Sequence, residues 1–414
     1  MRLRSTLRPA LIALLLVFAA LILGTHARVS AGFPGVTVAV GDIHGDFDSF
    51  VSLLQHCGLT DAQHHWTGGT ATLVQTGDIL DRGAKPREVL DLLMSLQKQA
   101  PKKGGRVVVL LGNHEVMNIM GDLRYVTAEN YASFAGKNAT KLEGSAFREY
   151  LAWRHDHASL LATIPQAFPD TTQAEWMARH PAGFIEQREA FSPEGKYGKW
   201  LRERPAVAEL EHVVFVHGGL DPSLSSMKLE DMDRRVHEEL NGFDRAKAFL
   251  VAQHLILPFF TLQEITAVVQ AEVRARENAP GSRHASGLNQ EGSLPEHTQM
   301  ELMRDFLDYG RWLSVASNGP LWFRGYDQWT DAEVADKLPG ILAAYRASAI
   351  VVGHTPQHDG RIRSRLGGKL FLIDTGMLSS YFHGRASALE IRNGVDFSAE
   401  YLDQNVVLSG SDRP

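Results

Sequence analysis

Val36-Thr37-Val38-Ala39-Val40-Gly41-Asp42-Ile43-His44-Gly45 sets the pattern for the whole chain. The first five residues are short, β-branched and apolar throughout, which predicts a buried strand covered on both faces. The run stops at a glycine, and an aspartate and a histidine follow two residues apart. In an extended turn those two side chains point to one side. The same order, an apolar run closed by a polar cluster, recurs along the chain. Ala71 to Gln75 precedes Gly77-Asp78-Ile79-Leu80-Asp81-Arg82-Gly83, and Arg106 to Leu111 precedes Gly112-Asn113-His114-Glu115. His212 to Val216 runs into His217-Gly218-Gly219, Ala349 to Val352 into Gly353-His354-Thr355, and Leu370 to Ile373 forms a sixth run. Phe47 to Cys57 and Val89 to Leu96 carry apolar residues at helical spacing, with Pro86 near the start of the second. Strand, helix, strand is the βαβ unit of an α/β fold, whose ligands belong at the carboxyl ends of the strands.

The clusters supply Asp42, His44, Asp78, Asn113, His217 and His354, a set able to hold two divalent metals side by side. Oxygen and imidazole donors suit Mn, Fe or Zn, and the lack of thiolate argues against a structural zinc knot. Two adjacent metals activate a water and clamp a phosphoryl oxygen, which points to phosphate-ester hydrolysis. Asp78 is the candidate bridge, and Asn113, His217 and His354 would complete the second metal's shell. Beside them, His114 is placed to donate a proton to the leaving oxygen, with Asp81 orienting its imidazole. Arg82 offers a planar fork for two phosphoryl oxygens. Glu115 is expected to support Arg82 or a metal-bound water. Each motif alone has a plainer reading. Asp78 could cap a helix, a single histidine could be a satisfied core residue, and Asp81-Arg82 could be a surface ion pair. Arrival of all six ligands at strand ends favours the metal reading.

Composition bounds the alternatives. The 414 residues are 44% hydrophobic and 22% charged, with a net charge of −6 and no long basic run, so there is no electrostatic case for nucleic-acid binding. Cys57 is the only cysteine, which excludes an intrachain disulfide. Arg2, Arg4 and Arg8 precede an apolar stretch from Ala10 to Gly24, shorter than the ~20 residues that comfortably span a bilayer. Residues 1–31 therefore read as a signal peptide ending at Ala27 or Ala31, and the protein as periplasmic or secreted, without stable membrane association after cleavage. An uncleaved N-terminal membrane anchor is the alternative. The catalytic domain is expected over 32–404, with mainly helical insertions at about 118–211 and 223–311 and a flexible tail over 405–414.

These motifs resemble the calcineurin-like metallophosphoesterases, and within them the phosphoprotein phosphatases. The resemblance implies a four-layer αββα sandwich in which two mixed sheets pack face to face with helices outside. It implies Asp42, His44 and Asp78 on one metal, and Asp78, Asn113, His217 and His354 on the other. Many relatives carry a further histidine two residues after the last, where this chain has Pro356; the protein phosphatases share that lack. Asn113-His114-Glu115-Val116-Met117-Asn118, Gly121-Asp122-Leu123-Arg124-Tyr125, Tyr197-Gly198-Lys199-Trp200-Leu201-Arg202, Leu321-Trp322-Phe323-Arg324-Gly325 and Ile373-Asp374-Thr375-Gly376 are similar to the Shewanella-like protein phosphatases. That group tends to act on phosphotyrosine. The Ser-Ala-Pro-Asn-Tyr segment of eukaryotic Ser/Thr phosphatases is missing. Protein phosphatases grip phosphate with a second arginine, for which Arg324 is the candidate and Arg202 the alternative. Arginine beside aromatics can also be a cap-to-core contact.

The expected substrate is a phosphorylated protein or a small-molecule phosphate ester. Water activated between the metals would attack phosphorus, and His114 would protonate the departing oxygen. The rival within enzymes is a nucleotide or dinucleoside polyphosphate hydrolase on the same fold. The rival from another class is a binding scaffold without turnover, which would be expected to have lost a ligand or the acid.

Overall fold

All six apolar runs form strands, and each is buried on both faces because two further layers cover them. The computed structural model describes residues 35–278 and 295–409; the expected leader and the end of the tail lie outside these. The strands are β1 (Val36–Val40), β2 (Thr72–Gln75), β3 (Arg106–Val109), β4 (Val207–Leu210), β5 (Val213–Val216), β6 (Ala349–Val352), β7 (Arg363–Arg365), β8 (Leu370–Leu372), β9 (Ser387–Arg392), β10 (Asp396–Tyr401) and β11 (Gln404–Ser409). They make two mixed sheets, ordered β11-β10-β9-β1-β2-β3 and β4-β5-β6-β8-β7. β1, β2 and β3 run parallel, as do β5, β6 and β8, while the remaining pairings are antiparallel.

The two-residue period of a strand sends alternate side chains to opposite layers. Val38 and Val40 of β1 face the outer helices of the first sheet, whereas Ala39 faces the second sheet. Val214 and Val216 of β5 face the outer layer of the second sheet, and Val213 and Phe215 face the first. Between the sheets, small residues such as Ala39, Ala349 and Ala399 leave room for Phe215, Phe371 and Phe397. Phe371 and Phe397 stack with ring centroids 4.4 Å apart. The result is the four-layer sandwich, helix on sheet on sheet on helix.

Along the chain the principal helices are α1 (Phe47–His56), α2 (Pro86–Gln99), α3 (Asn113–Met120), α4 (Ala139–Asp156), α5 (Gln173–Arg179), α6 (Phe184–Ala190), α7 (Leu229–Ala252), α8 (Leu262–Asn278), α9 (Glu296–Leu307) and α10 (Asp331–Tyr345). Asp46 accepts from the Ser49 N–H at 3.1 Å to start α1, and Pro86 sits in the first turn of α2, where its missing N–H costs nothing. α10 covers the outer face of the second sheet through Val334, Leu338 and Ile341. Helices α4 to α9 belong to the two insertions, and their Phe147, Trp153, Trp176, Phe243 and Phe306 join the same core that covers the first sheet.

Two expected boundaries change. The first insertion is helical only to Leu201, because Val207–Leu210 pairs with β5 as an edge strand. The tail expected from 405 begins instead as β11. A two-residue turn after Tyr401 folds Gln404 back onto it, and Val406 and Leu408 pack against the inter-sheet core.

Candidate metal centre

The carboxyl ends of β1, β2, β3, β5 and β6 meet at one edge of the sandwich, and the polar cluster after each lies there. Close approach of those loops explains two of the glycines. A Cβ on Gly112 would collide with Asp78 Oδ1, and one on Gly353 with Asp42 Oδ1. Asp42, His44, Asp78, Asn113, His217 and His354 are all buried.

Backbone carbonyls fix how the histidines point. His217 Nδ1 donates to Thr76 O at 2.9 Å, which leaves the Nε2 lone pair facing inward. His354 Nε2 lies 3.2 Å from Trp322 O, so its Nδ1 lone pair faces His217. Around His217 Nε2 converge Asn113 Oδ1 at 3.0 Å, His354 Nδ1 at 3.1 Å and Asp78 Oδ1 at 3.3 Å. Without a proton on His217 Nε2 these are four acceptors turned toward one point, an arrangement that a cation would satisfy. On the other side of Asp78, His44 Nδ1 donates to Leu80 O at 2.8 Å, and its Nε2 lies 3.7 Å from Asp78 Oδ2 and 3.8 Å from Asp42 Oδ2. Asp78, His217 and His354 form one group that could hold a metal, and His44, Asp78 and His114 a second. Asp78 is common to both.

The electrostatics agree with that fit. Burial pushes His44 and His354 well below the usual imidazole range, and the neighbouring histidines add to the shift, so both are neutral, the form that binds metal. Burial opposes ionisation of Asp78, but His217 and His114 outweigh it and hold the carboxylate well below its usual range. Asp42 is raised well above it by burial and by Asp374 and Asp78. Asp42, Asp78, Asp81, Glu115 and Asp374 are five buried acids at one edge, which Arg82 and Arg324 offset only in part. Two divalent cations would balance them.

Next to the ligand groups, His114 Nδ1 is 2.5 Å from Asp81 Oδ2, and its Nε2 points toward Asp78 Oδ2 at 3.8 Å. Asn118 Nδ2 donates to Asp81 Oδ1 at 2.8 Å, and Gln187 Nε2 of α6 donates to Asn118 Oδ1 at 2.7 Å, so the first insertion steadies the dyad. Burial lowers the His114 imidazole, but Asp78 and Asp81 prevail and its net shift is upward. The Arg82 guanidinium contacts His44 Nε2 directly.

Two expectations change here, and one residue joins the site that sequence reasoning missed. Glu115 is turned to the backbone and not to Arg82; its carboxylate accepts from the N–H groups of Asp78 (2.7 Å), Gly112 (2.8 Å), Ile79 (2.9 Å) and Leu80 (3.3 Å) and so fixes the Asp78 loop. Arg202 is not brought to the site. Asp244 takes its Nε and NH2 at 2.6 and 2.8 Å, and the carbonyls of Phe191 and Gly198 take its NH1. Asp374, given no role from sequence, stands at the end of β8 beside Asp42. Burial pushes it up to about 6, and its Oδ2 has no hydrogen-bond partner among the described residues. Its position after an apolar run is the same signal that marked the candidate ligands. Arg324 does reach the rim, donating to His354 O at 3.2 Å and Thr355 Oγ1 at 3.0 Å.

Known proteins resemble this chain in sequence and in fold. An uncharacterised protein of Schizosaccharomyces pombe is 29% identical over 373 residues, covering 89% of this chain and 81% of that one. Shewanella-like protein phosphatase 2 of Arabidopsis thaliana is 33% identical over 211 residues, 51% of this chain and 53% of its own, so the match spans about half of that relative. Among solved structures, the cold-active protein-tyrosine phosphatase of a psychrophilic Shewanella superposes with a TM-score of 0.53 at 22% identity, covering 93% of this chain and 85% of that one, a likeness of fold. The pattern of the calcineurin-like phosphoesterases matches residues 36–258, from the first strand through the motifs of Asp42, Asp78, Asn113 and His217 and just past α7, and does not reach the His354 motif. With that match over more than half its length, the chain belongs to the calcineurin-like phosphoesterase family.

Proposed function

We propose that the protein is a two-metal phosphomonoesterase that acts on phosphotyrosine in proteins. The observation that carries this reading is Asp78, one carboxylate shared by two ligand groups, with the His114–Asp81 pair beside it. Asp42, His44 and Asp78 would hold one ion, and Asp78, Asn113, His217 and His354 the other. The donor set suits Mn, Fe or Zn. When bound, such a pair supplies an activated water and draws charge from a phosphoryl oxygen. Arg82 would grip two phosphoryl oxygens, with Arg324 as the second cation at the rim. His114 would deliver its proton from Nε2 to the departing ester oxygen, while Asp81, held by Asn118, keeps the ring oriented and its charge stabilised. The names of the Arabidopsis and Shewanella proteins support the choice of phosphoprotein and of tyrosine.

The test is metal analysis and a substrate panel on one purified sample. Two metal equivalents, with phosphotyrosine peptides and p-nitrophenyl phosphate cleaved ahead of nucleotides and dinucleoside polyphosphates, is the expected result. The reverse order would favour a nucleotide hydrolase, and full metal without turnover a binding scaffold. Export through residues 1–31 is also proposed. Mature chain should then appear in the soluble periplasmic fraction, and full-length chain in washed membranes would establish an anchor instead.

A further inference from the structure

Arg82 is enclosed by more aromatic surface than its grip on phosphate requires. Its guanidinium carbon lies 5.1 Å from the Tyr125 ring centroid, 5.3 Å from Tyr381 and 5.1 Å from Phe382. All three are at cation–π distance. The rings come from two remote stretches, the loop after α3 and the short helix Ser379–Phe382. Phe382 turns inward and stacks on His44, with centroids 5.5 Å apart and planes 30° apart. The two tyrosines are different. Tyr125 is 38% exposed and Tyr381 56%, and they are the only large aromatic side chains so exposed among the described residues. Tyr125 also lies 5.1 Å from the ring of His114.

Resting on the phosphatase reading above, we propose that Tyr125 and Tyr381 form an aryl clamp that selects aromatic over alkyl phosphate esters. Metals and Arg82 hold a phosphoryl group in the same way whatever alcohol it is joined to, so neither can discriminate between esters. The ester oxygen must lie at His114 to receive its proton, and the leaving group then emerges beside Tyr125. In an aryl phosphate the ring begins one bond from that oxygen, so its face can rest on the exposed phenols around Arg82. An alkyl ester has no ring to place there, and in a nucleotide the ribose holds the base farther off. Offset or edge-to-face contact between rings adds selectivity beyond burial of apolar area.

The test compares the holoenzyme with Tyr381→Ala, Tyr381→Phe and Tyr125→Phe. One peptide is presented as its phosphotyrosine and phosphoserine forms, and binding of phenylphosphonate and methylphosphonate is measured by calorimetry. In Tyr381→Ala the phosphotyrosine-to-phosphoserine ratio of kcat/KM should fall about threefold to tenfold. Phenylphosphonate should weaken by a similar factor and methylphosphonate should not, and both phenylalanine variants should keep the wild-type ratio. Equal losses for both peptides, or weakened methylphosphonate binding, would overturn the clamp and leave Tyr381 as a support for Arg82. If the wild-type holoenzyme cleaved neither peptide, the phosphatase reading would fail. The phosphonate comparison would still decide the clamp, since it needs no turnover.

Discussion

His44, Asp78, Asp81, Arg82 and His354 adopt φ of 48°, 57°, 69°, 65° and 69°, the left-handed region that a β-carbon disfavours. Each such residue costs of the order of 1–3 kcal/mol, so the surrounding structure must enforce it. Glu115 does so at Asp78, by accepting the N–H groups that the turn would otherwise leave unpaired. The strained backbone aims ligands that sequence can name but cannot orient. Asp78→Asn should lower occupancy of both metal sites, whereas His44→Ala should mainly empty one. Two full equivalents in Asp78→Asn by elemental analysis would remove the bridge. His114 is within reach of His44 and Asp78 and could bind metal rather than donate a proton. As a general acid it would give a different signature. His114→Asn should keep both metals and lose ~10²–10⁴-fold in rate on phenyl phosphate, and much less on dinitrophenyl phosphate, whose leaving group needs little protonation. A metal-depleted variant, or an equal loss on both esters, would make His114 a ligand or a structural group.

At the scale of elements, what was legible is what was uniformly apolar. Val36–Val40, Ala349–Val352 and their counterparts are buried on both faces and stand out as runs. β9 and β10 carry Glu390, Arg392, Asp396 and Glu400 among their apolar residues, and β7 is Arg-Ser-Arg. Their place is fixed by pairing with distant strands, which local composition does not report. The insertions were legible as helical from their composition, but their links to the site were not. Gln187 reaching Asn118 is a long-range contact, and Tyr125 lies against His114 only because the loop after α3 turns back on that helix. One insertion element has a pH signature. His180 ends α5, with Nδ1 2.8 Å from Trp176 O and its ring 4.1 Å from the Trp176 ring. Burial pushes this imidazole down to about 4. An unfolded imidazole titrates near 6.5, so the unfolded chain binds the proton more readily. The stability His180 contributes is therefore complete above about pH 6.5 and is lost as pH falls toward 4, by roughly 2–3 kcal/mol at the acid end. His180→Gln should flatten the fall in Tm between pH 7 and pH 5. Parallel curves for variant and wild type would show that other groups set the acid limb.

For the whole molecule, the decisive fact is that the ligands come from both sheets. Asp42, Asp78 and Asn113 follow strands of the first sheet, and His217 and His354 follow strands of the second. A metal held by Asp78, Asn113, His217 and His354 would tie the sheets together at their carboxyl edge, while Phe215, Phe371 and Phe397 hold them together inside. Metal binding and inter-sheet packing should then be coupled, because each favours the same spacing. Phe215 is fully buried between the sheets, two residues before His217, and Phe50 is fully buried on the outer helical side of the first sheet. Truncating either to alanine should cost about 3–5 kcal/mol in the metal-free protein. Their responses to manganese should differ. A ligand at a hundred times its Kd adds about 2.7 kcal/mol of stability, which appears as a rise in Tm. Phe50→Ala should keep the wild-type rise, since its cavity leaves the ligand-bearing edges in place. Phe215→Ala should show a smaller rise, because loosened sheets present the second site less often in its binding geometry. Equal rises in the two variants would mean that the loops, braced by Glu115 and the carbonyls of Thr76 and Leu80, hold the ligands without help from the core.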